Sequence, residues 1–347
     1  MRLSTQLSYQ GGFREAAHAV AELERVGLDA VWVAEAYGFD AVSLMGYLAA
    51  VTESVEIGSG ILPVYTRTPT LLAMSAAGID ALSGGRCILG IGASGPQVVE
   101  GWHGVPYDRP LARTREIVDI CRRVWAREAP LTNPGPLYPL PLPEGRGTGL
   151  GKALKTIARP VRPRIPVYVA ALGAKNLALT AEVADGWLPL FFLPERAPEV
   201  FGPALADGAA RRAGDLGPLE VCAGGVAFVG DADAARDILD THARPMMALY
   251  IGGMGAKGRN FYNDLVRRYG YEAEAAEIQE LYLGGHKREA AARVPDELLQ
   301  LTNLCGTAGF VRDRIAAFRE AGVTLLNAMP AGPDPVGTVA QLKAWIQ

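Results

Sequence analysis

The stretch VWVAEAYGFDAVSLMGYLAAVTESVEIGSGI, residues 31–61, predicts a strand, a helix and another strand in direct succession. Val31–Val33 is the earlier strand, a helix runs from about Asp40 to Val51, and Val55–Ile61 is the later strand. Strands that alternate with helices in this way are typical of a parallel sheet covered by helices.

The alternation continues on both sides of this stretch. Leu3–Ser8 predicts a preceding strand, and the helix Glu15–Val26 is followed by Gly27, where glycine commonly terminates helices. Further strands are predicted at Cys87–Ile91, Val167–Ala171, Trp187–Leu190, Leu219–Val229 and Val323–Ala328. Four unbroken repeats in the first half favour a closed barrel, with a doubly wound sheet as the alternative.

Two inserted segments, called excursions below, interrupt the alternation of strands and helices. Residues 130–164 are rich in proline and glycine and predict a loop after strand four, whereas residues 242–304 predict a mainly helical insertion after strand seven. Without them about 250 residues remain, which is the usual size of a (β/α)8 barrel. The sequence therefore predicts an α/β fold, a TIM barrel forming a single domain over residues 1–347.

The amino-acid composition indicates which broad class of protein to expect. An apolar content of 49% with 20% charged residues is typical of a soluble globular enzyme, and a formal net charge of −3 gives no general attraction to nucleic acid or to an anionic membrane. The cysteines are widely spaced and predict neither a disulfide framework nor a metal site. Because no secretory start or membrane-length apolar run occurs, we expect a cytoplasmic protein.

Glycines dominate the predicted C-terminal ends of the strands, where TIM barrels place their active sites. They occur in Gly58–Ile61, in Gly90–Gly95 and at Gly173. Each alone would merely permit a tight turn, but together they predict a flat ligand lying against main chain. Gly90-x-Gly92-x-x-Gly95 also matches the dinucleotide fingerprint, which we reject because Pro96 stands where a helix should open and the expected acidic residue is missing.

The segment Ala170–Asn176 predicts an anion site. Small residues followed by Gly173 open a helix whose first N–H groups would face the ligand end, and Lys175 adds a positive charge. Within residues 144–164, six basic side chains oppose one acidic side chain, so this run either attracts an anionic tail or is simply solvated.

Side-chain catalysts are scarce at the predicted mouth. His103 is the histidine nearest to it, and a hydrogen-bonded loop histidine is the commoner reading, so the catalytic residues are left unassigned. No zinc-protease, serine-hydrolase or Walker motif occurs. The chemistry is therefore expected to come from a redox cofactor, with a small organic molecule as substrate.

Several segments together resemble the luciferase-like superfamily: Leu28–Glu35, Ile57–Ile61, Leu89–Pro96 and Val167–Gly173. Three more resemble its actinobacterial branch that depends on coenzyme F420: Val99–Gly104, Gly147–Lys152 and Tyr250–Gly255. The resemblance implies F420 as cofactor, with FMN as the alternative, and a homodimer. It also implies a cis peptide bond at Gly60–Ile61 in a bulge of strand three, behind the deazaflavin ring.

The resemblance also implies the site residues. Glu35 would lie near the cofactor head, Ser94 and Gly95 would contact its ring or ribityl chain, and residues 171–176 would hold its phosphate. The cofactor-binding set is Glu35, Gly58, Gly60, Ile61, Gly92, Ser94, Gly95, Ala171, Leu172, Gly173, Lys175 and Asn176. The expected substrate pocket consists of Tyr37, Tyr65, Trp102, His103, Phe191 and Met254.

The chain departs from one family pattern. Relatives that oxidise sugar phosphates or simple alcohols carry a histidine after the acidic residue of strand two and a glutamate after the strand-four glycines, whereas this sequence has Ala36 and Pro96. Hydride transfer to an activated C=C or carbonyl compound, which needs chiefly proximity and alignment, is therefore the expected reaction. An FMN-dependent monooxygenase and a non-catalytic flavin- or deazaflavin-binding barrel are the alternatives.

Overall fold

Short apolar strands close into a parallel barrel in the computed structural model, which describes residues 1–7, 12–255 and 257–346. Neighbouring barrel strands pair in the order β10-β1-β2-β3-β5-β6-β7-β8, and pairing of β8 with β10 closes the circle. The predicted TIM barrel is confirmed. The strands are β1 Arg2–Leu7, β2 Ala30–Val33, β3 Glu56–Ser59, β4 Leu62–Pro63, β5 Cys87–Gly92, β6 Val167–Ala170, β7 Gly186–Leu188, β8 Glu220–Val229, β9 Leu304–Gly306 and β10 Leu325–Pro330.

Helices surround the barrel because their apolar faces cover the outward side chains of the strands. In the described residues none is both long and apolar enough to cross a membrane. The α-helices are α1 Phe13–Arg25, α2 Ala41–Val51, α3 Pro69–Ser83, α4 Pro96–Gly101, α5 Pro110–Ala126, α6 Ala174–Val183, α7 Ala197–Ala209, α8 Ala232–Ile238, α9 Arg244–Ala248, α10 Phe261–Arg268, α11 Glu272–Leu283, α12 Lys287–Ala292, α13 Asp296–Leu301, α14 Ala308–Glu320 and α15 Pro335–Ile346. A 3-10 turn covers Gly214–Leu216, and π-helical turns cover Leu239–Ala243 and Leu249–Gly253.

The predicted end of α1 is confirmed, and the start of α3 has an equally local cause. Gly27 has φ 101° and its N–H bonds the carbonyl of Glu24, as expected for a glycine that ends α1. Thr68 accepts a hydrogen bond from the Leu71 N–H at 3.2 Å, with Pro69 as the first residue of α3.

The third barrel strand is shorter than predicted. β3 ends at Ser59, and the chain then turns through a cis peptide bond between Gly60 and Ile61, as the family resemblance implied, before β4 pairs with β5. At the end of β3 the Ser59 hydroxyl forms hydrogen bonds with the main chain of β5. It donates to the Gly90 carbonyl at 2.7 Å and accepts from the Gly90 N–H at 2.9 Å.

At three further places the structure bears on the predicted elements. Pro96 does open a helix, α4, because proline fits the first helical position; the doubly wound reading is excluded by the closed barrel instead. The short strand β9, which pairs with the end of β8, was missed because it falls at the end of the predicted helical excursion. Ser8, the predicted end of the first strand, lies outside the described residues.

The two excursions leave the barrel where predicted, after the fourth and seventh barrel strands, β5 and β8. Between α5 and β6 the chain forms only isolated bridges, Leu131 with Leu154 and Asn133 with Leu140. The later excursion, residues 242–304, is a helical layer whose α-helices are α9 to α13 and that packs over the end of the barrel.

Candidate active site

A cavity of about 730 Å³ opens at the C-terminal ends of the barrel strands. Main chain at Gly60, Gly92 and Gly173 borders it, together with side chains from the helical excursion. Its position is the one at which TIM barrels carry their active sites, and its size is that of an ordinary ligand site.

All but one of the residues expected to bind the cofactor border this cavity. They are Glu35, Gly60, Ile61, Gly92, Ser94, Gly95, Ala171, Leu172, Gly173, Lys175 and Asn176. Gly58 does not, because it faces the barrel interior: a Cβ there would come within 2.3 Å of the Trp32 ring. This glycine makes room for an indole rather than for a ligand.

The expected substrate pocket divides in two. Tyr37, Phe191 and Met254 border the cavity. Tyr65 does not border the cavity, and its hydroxyl donates a hydrogen bond to the Asp108 carbonyl at 2.9 Å. Trp102 and His103 follow the short helix α4 and also lie off the cavity, with the indole 66% exposed.

Glu35 is held by a bidentate ion pair. Its carboxylate oxygens accept from the two terminal nitrogens of Arg67 at 2.5 and 2.8 Å, and one of them also accepts from the Ala41 N–H at 2.9 Å. Hydrogen bonding to this carboxylate raises the pKa of Arg67. An oxygen pair engaged in this way is poorly placed to remove a proton from a substrate, so Glu35 is better suited to positioning.

The N-terminus of α6 faces the cavity without a side-chain cap. Gly173 is the N-cap residue and bears no side chain to accept a hydrogen bond. The N–H groups of Ala174, Lys175 and Asn176 therefore have no partner within the helix, and all three residues border the cavity. Exposed N–H groups, the helix dipole and the Lys175 ammonium together attract an anion.

Two of the four non-glycine residues with positive φ in the described part of the chain border the cavity. Ser94 has φ 58° and Phe191 has φ 53°, values that non-glycine residues seldom adopt, and both residues border the cavity. The main chain of Phe191 is held in place by a hydrogen bond, because the Tyr269 hydroxyl donates to its carbonyl at 3.0 Å. Its ring contacts those of Tyr250 and Tyr262.

The basic run of residues 144–164, expected either to attract an anionic tail or to be solvated, does not border the cavity. Arg162 pairs with the fully buried Asp80, and Arg164 pairs with Asp185. Lys155 donates to the Glu128 carbonyl at 3.0 Å, just beyond the end of α5. Pro110 and Leu111 at the other end of α5 border the cavity, so Lys155 lies near the opposite end of this 17-residue helix, which is about 25 Å long.

Sequence reasoning missed part of the wall of the cavity. Gln6, Asn303 and Asn327 border the cavity, and the polar Asn327 in the otherwise apolar β10 was the available signal. Cys222 also borders the cavity, but burial raises the pKa of its thiol to about 12, so it stays protonated and unreactive. The missed wall residues include Tyr107, Met246, Met247, Leu249, Tyr250 and Tyr262.

In the described parts of the chain no cluster of histidine, cysteine and carboxylate side chains forms a metal site. All four cysteines, Cys87, Cys121, Cys222 and Cys305, are free and buried. Among those same residues, the polar side chains that border the cavity include amides, phenols, the hydroxyls of Ser94 and Thr302, the Cys222 thiol, the Lys175 ammonium and the Glu35 carboxylate, which is paired with Arg67.

Known proteins resemble this chain along nearly its whole length. The luciferase-like monooxygenase family model matches residues 1–325. A Mycobacterium tuberculosis protein named "Putative coenzyme F420-dependent oxidoreductase" is 44% identical over 347 residues, with 99% of each chain covered. The 5,10-methylenetetrahydromethanopterin reductase of Archaeoglobus fulgidus is 30% identical over 335 residues, covering 93% of this chain and 91% of that one. The solved coenzyme F420 dependent tetrahydromethanopterin reductase from Methanopyrus kandleri has the same fold, with a TM-score of 0.79, 23% identity and coverage of 98% and 96%.

Proposed function

The chain belongs to the luciferase-like monooxygenase family, and from this premise we propose that it is a coenzyme F420-dependent oxidoreductase. It moves a hydride between the deazaflavin C5 atom and an organic substrate with an activated C=C or carbonyl group. The observation that carries the proposal is the cavity, which offers bare main chain on one side and an uncapped helix N-terminus on another.

The residues present fit such a cofactor. A Cβ at Gly92 would approach the Ile61 side chain to 3.1 Å, so glycine keeps this wall flat beside the turn at Gly60 and Ile61. At Gly173 nothing lies within 4 Å of an added Cβ, which leaves space in front of α6 for a phosphate. Deazaflavin supplies the hydride chemistry when bound.

The protein's own residues would bind and orient the cofactor and exclude water from the site. The α6 N-terminus and Lys175 would hold the phosphate, and the main chain of Gly60 and Ile61 would support the ring. Arg67 neutralises Glu35 at the edge of the site. With Ala36 and Pro96 in place of the acid and base groups used by alcohol-oxidising relatives, reduction is the favoured direction.

Cofactor choice tests the proposal. We expect the purified protein to bind F420 at least about tenfold more tightly than FMN, a difference of roughly 1.4 kcal/mol, when both are titrated and followed by fluorescence. Tight FMN binding without F420 binding would instead favour a monooxygenase. F420 binding without turnover of any enone or ketone in a broad panel would favour a non-catalytic barrel.

We further propose that the chain forms a single domain and acts as a homodimer. The helical excursion of residues 242–304 supplies cavity wall, so it belongs to the same unit as the barrel. For the dimer the support is the outer face of α2 and α3, where no exposed charged side chain occurs. The one charged residue of these helices, Asp80, is buried and paired, whereas the flanking helices α1 and α5 carry many charges.

This α2–α3 face can complement itself. Leu71, Met74 and Leu82 protrude from α3, exposed by 46, 60 and 69%, while nothing lies within 4 Å of an added Cβ at Gly78. Protruding and small residues on one helix suit a twofold interface, in which the same patch meets its own copy. A surface helix without charge is otherwise costly to leave in water.

Met74→Glu is expected to dissociate the dimer. An unpaired carboxylate at the centre of an apolar interface is costly, so the dimer dissociation constant should rise by at least about tenfold. Sedimentation velocity over a concentration series measures this shift. Leu150→Glu, at a residue that is 86% exposed and lies in the first excursion, is the matched control and should leave the dimer intact. A monomeric wild-type protein, or a Met74→Glu variant that remains dimeric, would contradict the assignment.

A further inference from the structure

We propose that Tyr107 and Tyr262 bind the carbonyl oxygen of the substrate through their hydroxyl groups, and that this substrate is an uncharged compound with a planar, apolar body. The inference rests on the proposed function, since it concerns the part of the same cavity that the cofactor residues leave free.

The absence of free charge indicates an uncharged substrate. Among the described residues that border the cavity, Glu35 and Lys175 are the charged ones. Glu35 is paired with Arg67, and Lys175 lies in the first turn of α6, at the proposed phosphate site. A substrate carboxylate or phosphate elsewhere in the cavity would be buried without a counter-ion, which is strongly unfavourable.

Aromatic and thioether side chains indicate a planar, apolar body. The rings of Tyr250 and Tyr262 meet edge to face with centroids 4.7 Å apart, and Phe191 meets Tyr250 in the same way at 5.6 Å. Met246 and Met247 from α9 border the cavity as well. Ring edges and flexible, polarizable thioethers pack well against a flat ligand.

The two proposed tyrosines differ from several other tyrosines among the described residues. The hydroxyls of Tyr65, Tyr138 and Tyr269 each donate to a main-chain carbonyl. Those of Tyr107 and Tyr262 form no hydrogen bond within residues 1–7, 12–255 and 257–346, although both residues border the cavity. A partly buried hydroxyl ordinarily has a partner, and here a ligand in the cavity would supply it.

Both phenols are suited to donate hydrogen bonds at neutral pH. Burial raises the pKa of Tyr107, and burial together with the nearby Tyr107 raises the pKa of Tyr262 to about 12. Tyr107 is also held in place, because its ring stacks on that of Tyr65 with centroids 5.1 Å apart.

The test uses Prodan, an uncharged planar naphthyl ketone whose emission moves to longer wavelength when its carbonyl accepts a hydrogen bond. We expect saturable binding to the full-length protein without added cofactor. Because a neutral hydrogen bond contributes modestly, Tyr107→Phe and Tyr262→Phe should each weaken binding by about five- to tenfold and move the bound emission to shorter wavelength. Tyr47→Phe, whose hydroxyl contacts His18 between α1 and α2, is the matched control and should behave as wild type.

Competition tests the charge requirement. 2-Acetonaphthone should displace Prodan at least about tenfold better than the carboxylate 2-naphthoate, since the latter would be buried unpaired. Unchanged affinity and emission in both phenylalanine variants, the reverse order of the two competitors, or no saturable binding would each overturn the inference. F420 titration of the same variants separates the two proposals, because loss of the phenols should leave cofactor affinity unchanged.

Discussion

Replacing Gly173 with Asp is expected to weaken F420 binding by at least about 100-fold while leaving the fold at least as stable as wild type. Gly173 is the N-cap residue of α6, has φ −74° and ψ 144°, and has nothing within 4 Å of an added Cβ, so aspartate fits there without strain. Aspartate caps helices well and should stabilise the protein by a few tenths of a kcal/mol.

The loss of binding follows from charge and from competition for the same donors. The new carboxylate would accept hydrogen bonds from the N–H groups of Lys175 and Asn176, which are proposed to hold the cofactor phosphate. It would also lie about 4 Å from that phosphate, where two like charges repel by roughly 4 kcal/mol at an effective dielectric constant of about 20. Fluorescence titration measures the affinity, and thermal unfolding without cofactor measures the stability.

Gly173→Asn is the matched control, since asparagine caps the helix equally well but carries no charge. It should lose only the part of the affinity that arises from competition for the N–H groups, about tenfold. The difference between the two variants should shrink as salt is added. If Gly173→Asp binds F420 as tightly as wild type does, the phosphate does not lie at α6.

The barrel could be predicted because its signals are local. A short apolar run such as Val31–Val33 forms a buried strand whichever segments pair with it. Gly27 ends α1 because glycine adopts a positive φ without steric strain. The glycines at Gly60, Gly92 and Gly173 could be predicted as cavity wall because parallel strands bring their C-terminal ends to one rim.

Other site features depend on contacts between distant segments, and these the sequence does not display. Gly58 and Gly60 look alike in sequence, but only the structure reveals that the Trp32 ring fills the space beside Gly58. Tyr107 and Tyr262 both border the cavity, but they come from a loop before α5 and from the helical excursion, and no sequence pattern links them. In the sequence Arg162 and Arg164 are part of a basic run, whereas in the structure they pair with a buried and a half-buried carboxylate.

Gly90→Ala is expected to lower the free energy of unfolding by about 3 kcal/mol or more, the upper end of the usual cost of overpacking. A Cβ at Gly90 would lie 1.8 Å from the Ser59 carbonyl oxygen, and this contact is with main chain rather than with a flexible side chain. The Ser59 hydroxyl holds both the N–H and the carbonyl of Gly90, so moving β3 away would also break those two hydrogen bonds.

The measurement is urea unfolding followed by circular dichroism, with Gly309→Ala as the matched control. Gly309 lies in the first turn of α14, is exposed, and has nothing within 4 Å of an added Cβ, so alanine there should be neutral or stabilise the protein by up to about 1 kcal/mol. The same substitution should therefore act in opposite directions at the two glycines. Because Ser59 directly precedes the turn at Gly60 and Ile61, any Gly90→Ala protein that still folds should also bind F420 more weakly. Wild-type stability in Gly90→Ala would mean that β3 and β5 can separate freely, and the wall of the proposed cofactor site would then not be rigid.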